Sequence, residues 1–262
     1  MKLISASLLA ASAMADKWAK LGDTWNALAG SDAVSEDDRK IIDLFTISSV
    51  ANYGCWCRFN MYKPYKGTPQ DTVDEACKQW YQNTDCLGMD FTTATPAFQC
   101  NDVDYVDVIT NLQDPFLPGT DYAAACTAAN AGDDCAIESC HVDAVFIRHV
   151  FTFLTDNTLN MTLSGWYGFN GNVCNGIVPS TGATTGAPIP ADPTQNPPTT
   201  MDPATTLVAP IANKLCCGDY PNRFPYKTRQ GETQCCVDAT YNVNILECCP
   251  NDVLLPFGTC PP

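Results

Sequence analysis

The chain has 262 residues, 29 of them acidic and 14 basic, for a net charge of −15. That excess of acid excludes charge-driven docking on nucleic acid or on anionic membrane surfaces. Sixteen cysteines beside only two histidines, without paired C-x-x-C spacing, argue against a zinc framework and for disulfides formed in an oxidising compartment.

In chain order, Lys2, the apolar "LISASLLAA" and the small-residue run Ala13-Met14-Ala15 predict a signal peptide over 1–15, too short to span a bilayer. No later stretch reads as a membrane span, so the expectation is a secreted, extracellular protein without a transmembrane anchor. "SEDDRKIIDLFTISSVANYG" predicts a helix capped by Ser35, with Ile41, Leu44, Phe45 and Ser48 at helical spacing and Gly54 as its end. "PQDTVDEACKQWYQN" predicts a second helix opened by Pro69, with Val73, Ala76, Cys77 and Trp80 on one face. "DDCAIESCHVDAVFIRHVFTFL" predicts a third, with Ile137, Cys140, Ala144, Ile147 and Phe151 in a stripe. Asn160-Met161-Thr162 is an N-glycosylation sequon.

Beyond Val178 the composition changes. Residues 179–214 are rich in Pro, Thr, Ala and Gly and lack Cys, which reads as a partly extended linker open to O-glycosylation. Residues 215–262 form a small Cys-rich module, in which "TQCCVDATYNVNILECC" suggests a short hairpin. "YPNRFPYK" offers Tyr220, Phe224, Tyr226, Arg223 and Lys227 either for packing over disulfides or as a binding loop. No long internal repeat is evident. The expected fold class is mainly α and disulfide-rich over 16–178, with a partly β C-terminal module.

Tyr53-Gly54-Cys55-Trp56-Cys57 resembles the Y-G-C-Y-C segment of secreted phospholipase A2. In that family G-x-P-x-D-x-x-D-x-C-C-x-x-H-D-x-C follows; here Gly67, Pro69, Asp71, Asp74 and Cys77 match, while Ala76, Trp80, Tyr81 and Asn83 depart. The family's second long helix carries C-x4-C-x-C-D-x5-C, against Cys135, Cys140, Val142, Asp143 and His149 here. Cysteines are thus missing in partner sets, both ends of two bridges together. The resemblance implies two antiparallel helices tied by disulfides, with Cys55–Cys174, Cys57–Cys77 and Cys126–Cys140 paired and Cys135 joined to Cys100, or alternatively to Cys86.

The family's chemistry uses a His to activate water and an Asp plus Gly-rich loop carbonyls to hold Ca²⁺. Trp80 has an indole donor but no basic nitrogen, and the Tyr81 phenol is no anionic ligand at neutral pH. The loop between Cys57 and Gly67 has no Gly and carries Arg58, Lys63 and Lys66. His141 and His149 lie at no recognised catalytic spacing, and His141 and Asp143 are two residues apart on a helix, facing different ways. The expectation is therefore a degenerate site with no catalytic residue, no bound metal and no cofactor. Asp143 is retained, and with no His to orient it either accepts from the Trp80 indole or faces solvent. Trp56, Trp80 and Tyr81 are the candidate ligand-binding residues, with a lipid or acyl chain as ligand.

The C-terminal module has three Cys doublets, Cys216-Cys217, Cys235-Cys236 and Cys248-Cys249, and resembles the dicysteine modules of galaxin-like extracellular matrix proteins. Nine cysteines precede the linker and seven follow it. Two odd counts imply one bridge across the linker, or else a free thiol or an intermolecular bridge. For a crossing bridge the candidates are Cys86 or Cys100 on one side and Cys260 on the other. The expected function is non-catalytic extracellular binding or matrix or wall assembly. The alternatives are a calcium-dependent or divergent secreted phospholipid hydrolase and a purely structural matrix component.

Overall fold

Four short polar side chains start four helices by accepting a backbone N–H that the first turn leaves unpaired. Ser35 accepts from Asp38 N (3.1 Å), Asp71 from Asp74 N (2.9 Å), Asp121 from Ala124 N (2.9 Å) and Asp133 from Ala136 N (3.0 Å). In this computed structural model the described residues are 18–28, 30, 34–44, 50, 52–57, 67–91, 100, 104–112, 115–116, 119–156, 159–165, 168–175 and 214–261. The predicted signal peptide, the loop carrying Arg58, Lys63 and Lys66, and all of the linker but Lys214 lie outside them.

The helices are α1 (18–28), α2 (Glu36–Leu44), α3 (Thr72–Asp90), α4 (Tyr122–Ala129) and α5 (Asp134–Thr155). Helix α3 starts at its Asp71 cap rather than at Pro69, and it runs past Asn83 to Asp90. Helix α2 ends at Leu44 among the described residues, and the Phe45 and Ser48 expectations lie outside them. Helices α1 and α4 are additions to the sequence reading. Along α1, Leu21, Trp25 and Leu28 are buried at helical spacing, while Trp18 packs against the same core.

Helices α3 and α5 form the centre. Tyr53 Oη accepts from Asn160 N just after α5 and donates to Asp71 at the start of α3. Farther along, Trp80 meets Asp143 and Phe146. The pair therefore runs antiparallel. Val73, Cys77, Trp80 and Leu87 of α3 and Val142, Phe146, Ile147, Val150 and Leu154 of α5 share one core. Each large apolar side chain fully buried there contributes about 1.5–3 kcal/mol. No described helix is long and apolar enough to cross a membrane.

The C-terminal part is three antiparallel hairpins: β1 (Lys214–Cys217) with β2 (Phe224–Lys227), β3 (Thr233–Cys236) with β4 (Ala239–Asn242), and β5 (Leu246–Cys248) with β6 (Leu254–Pro256). Adjacent residues of a strand point to opposite faces, so each doublet reaches two ways. The first Cys bonds backward and the second forward: Cys86–Cys216, Cys217–Cys235, Cys236–Cys248, Cys249–Cys260. A short unit, a doublet followed by a turn, thus recurs three times where the letters show no long repeat. The remaining bridges are Cys55–Cys174, Cys57–Cys77, Cys100–Cys135 and Cys126–Cys140, the pairs that the resemblance implies. No cysteine is free.

One bridge does cross the linker, but its module end is Cys216, not Cys260. The first Cys of each doublet ties to whatever precedes it, and α3 precedes the first hairpin. Around this bridge the module is seated on α3. Asn83 donates to Pro221 O and accepts from Arg223 N (2.9 Å), and Asp90 takes the Arg223 guanidinium and Tyr220 Oη (2.9 Å). Tyr220 and Arg223 are therefore interface residues rather than a free binding loop. Burial first, then the Asp90 carboxylate, push the Tyr220 phenol up.

Candidate functional site

The site is assembled from the 52–57 loop, the first half of α3, the middle of α5 and the 104–105 segment. Asp74 shapes the loop. Its buried carboxylate accepts from Cys55 N (2.8 Å), Trp56 N (2.6 Å) and Gln70 N (2.9 Å). Burial pushes its carboxyl up, while those three backbone donors pull it down. Gly54 is required by this arrangement: at φ +54°, a Cβ there would lie 2.4 Å from Asp74 Cγ.

Trp80 is 2% exposed. Its Nε1 donates to Asp143 Oδ1 at 2.7 Å, and Tyr105 Oη donates to Asp143 Oδ2 at 2.6 Å. Both carboxylate oxygens are thus occupied in a buried setting, as a buried charge requires. Burial and the Asp143 carboxylate push the Tyr105 phenol well above its ordinary range. The Trp80 indole lies between Trp18 of α1, edge-on at 6.2 Å between ring centroids, and Phe146 of α5 at 5.4 Å. Its ring is enclosed, so Trp80 fills space between the helices and offers little surface of its own to a ligand.

Trp56 and Tyr81 meet each other, with centroids 6.1 Å apart, both half-buried. Trp56 Nε1 is held by Gly67 O at 3.0 Å. Burial, then Asp85, push the Tyr81 phenol up, away from the anionic form a cation would need. Of the three aromatic candidates, these two retain surface.

The two histidines do not join the constellation. His141 Nδ1 faces Glu138 at 3.8 Å, and His149 packs near Phe153 with its imidazole pushed down by burial and then by Arg148. Asn160 stands exposed at the opposite end of α5 from the module. A 560 Å³ depression adjoins the 104–105 segment, lined by α1 and 104–110 residues including Lys20, Asp23, Asp104 and Asp107, and Trp56, Trp80, Tyr81 and Asp143 do not line it. Lys20 is engaged there by Asp104 (2.7 Å) and sits 3.5 Å over the Tyr105 ring.

Among the described residues, the grouping with metal-type atoms is Glu247, Cys249 and Cys260. Those two sulfurs share a disulfide, and the Glu247 carboxylate caps Thr259 N and Cys260 N, so this grouping offers no free donor set. Trp18 and Tyr105 are site residues that sequence reasoning missed. Trp18 was detectable from the Trp18, Leu21, Trp25, Leu28 spacing, but no local pattern marks Tyr105.

No family model matches the chain, and neither a curated protein nor a solved structure matches it significantly. Fold and site together define a disulfide-rich protein of helices followed by a small strand module, with eight bridges of the kind that persist in oxidising surroundings.

Proposed function

We propose that the chain is a secreted, non-catalytic phospholipase A2-like protein acting in extracellular binding or in matrix or wall assembly. The observation that carries this reading is the Trp80–Asp143 hydrogen bond at 2.7 Å. At the position where the resemblance calls for a general base stands an indole N–H, which can donate but cannot take a proton from water. The carboxylate that would orient a base orients a packing residue. Four bridges and an antiparallel helix pair in the pattern of that family support a kept scaffold. The doublet-linked hairpins, the first of them seated on α3, support a role in assembly, in the manner of the galaxin-like modules they resemble. Trp56 and Tyr81 are the surface on which an acyl chain or lipid would first rest.

The test is fatty-acid release from phospholipid vesicles by the purified full chain, with and without Ca²⁺. No release above background is expected in either condition. Calcium-dependent release that scales with protein concentration would return the chain to the hydrolases.

A further inference from the structure

The sequon Asn160-Met161-Thr162 is the only one in the chain, and the function proposed above does not use it. The fold gives it an arrangement that suits a covalent attachment. Asn160, Met161 and Thr162 are all exposed. Asn160 Oδ1 accepts from Thr162 N at 3.1 Å and from Thr162 Oγ1 at 2.8 Å, closing an Asx turn. That turn commits the carboxamide oxygen to Thr162 and leaves Nδ2 outside the turn. Among the described residues none bonds Nδ2. Neither Met161 nor the following Leu163 is a Pro, so nothing at the motif bars an acceptor role.

The backbone beneath is anchored. Asn160 N donates to Tyr53 Oη at 3.0 Å, and Tyr53 in turn donates to Asp71 at the start of α3. The module is seated at the other end of that helix, on Asn83 and Asp90. Nineteen residues of α3 put about 28 Å between the two ends. A bulky group on Nδ2 therefore meets neither the helix-pair core nor the module interface.

We infer that Asn160 is the acceptor of an N-linked glycan. The donor is a lipid-diphosphate-linked oligosaccharide, transferred by the enzyme of a eukaryotic secretory pathway. The Nδ2–C1 bond forms, the sugar C1–O bond to the diphosphate breaks, the diphosphate leaves with the electron pair, and one Nδ2 proton is released. Nothing is oxidised or reduced. The glycan makes the end of the helix pair bearing Asn160 hydrophilic and sterically closed, and leaves the module end uncovered for contacts.

The experiment expresses the chain in a eukaryotic secretory host in two forms, one with its own first fifteen residues and one from Asp16 behind a host leader. Protein with all eight bridges formed is collected. Amidase removal of N-glycans in ¹⁸O-water is expected to collapse the mobility of the protein in one step and to leave ¹⁸O-labelled Asp at position 160. Asn160→Gln and Thr162→Ala abolish the step, and Thr162→Ser retains it. Having two independent knock-outs covers the case in which one fails to fold. Oxidised protein from the host-leader form with unmodified Asn160 overturns the inference. A glycan on the host-leader form alone supports it while removing the signal-peptide expectation, and neither result bears on fatty-acid release.

Discussion

Trp80 combines two contributions that single substitutions separate. Trp80→Ala removes the ring between Trp18 and Phe146 as well as the donor to Asp143, and costs about 3–5 kcal/mol as a large-to-small core change. Trp80→Phe keeps much of the ring and leaves Asp143 Oδ1 without its indole partner, a loss of about 1–3 kcal/mol. Urea unfolding should rank wild type above Phe and Phe above Ala, and equal stability of all three would refute the enclosed packing. His149 provides a pH test. Its folded pKa is depressed below the ordinary 6.5 by burial and then by Arg148, so the unfolded chain binds the proton more readily. Its share of stability is complete above 6.5 and declines as pH falls through the window just below it. Wild type should lose more stability than His149→Gln between pH 7.5 and pH 5.5. Parallel losses would show that His149 does not couple to folding.

Among the elements, the β3–β4 hairpin carries a visible strain. Its two-residue turn, Val237-Asp238, places Val237 at φ +56°, where a β-branched side chain is disfavoured and Gly is preferred at the first turn position. The equivalent residue of the first doublet is Gly218, at φ +91°. Val237 is half exposed, so its side chain contributes little burial. Val237→Gly should raise the denaturant midpoint by the equivalent of about 1 kcal/mol. A lowered midpoint would mean that Val237 makes contacts worth more than the strain. The helices show how far such local rules extend: the caps at Ser35 and the stripes of α3 and α5 were legible, because capping and 3.6-residue periodicity are local. Helix α4, an eight-residue run rich in Ala, has almost no amphipathic pattern and was not.

In the whole molecule, the Cys86–Cys216 bridge and the Asn83, Asp90 and Arg223 contacts join two parts that the linker leaves separable by sequence. The bridge closes a sequence separation of 130 residues, for which chain-entropy arguments give about 4–5 kcal/mol. Enzymatic cleavage within 179–213 without reductant should leave the two halves migrating together under denaturing conditions, and added reductant should part them. Cys86→Ser with Cys216→Ser should allow separation in denaturant without reductant. Halves of the unaltered chain that separate before reduction would disprove the crossing bridge.

The amino-acid sequence by itself determined the disulfide-rich chemistry, the Ser35 cap, the stripes of α3 and α5 and the absence of a basic nitrogen at position 80. Two odd cysteine counts also limited the chain to a crossing bridge, a free thiol or a bridge to another chain. These follow from composition, arithmetic and short-range periodicity. Which partners meet was decided only in three dimensions: Trp18 on Trp80, Tyr105 on Asp143, and Cys216 rather than Cys260 on Cys86. Those contacts join residues 38 to 130 positions apart. No local preference encodes them, because a donor, an aromatic ring or a thiol is equally able to pair with many others. Packing of α3 against α5, and of the first hairpin against α3, selects one partner by bringing it within reach.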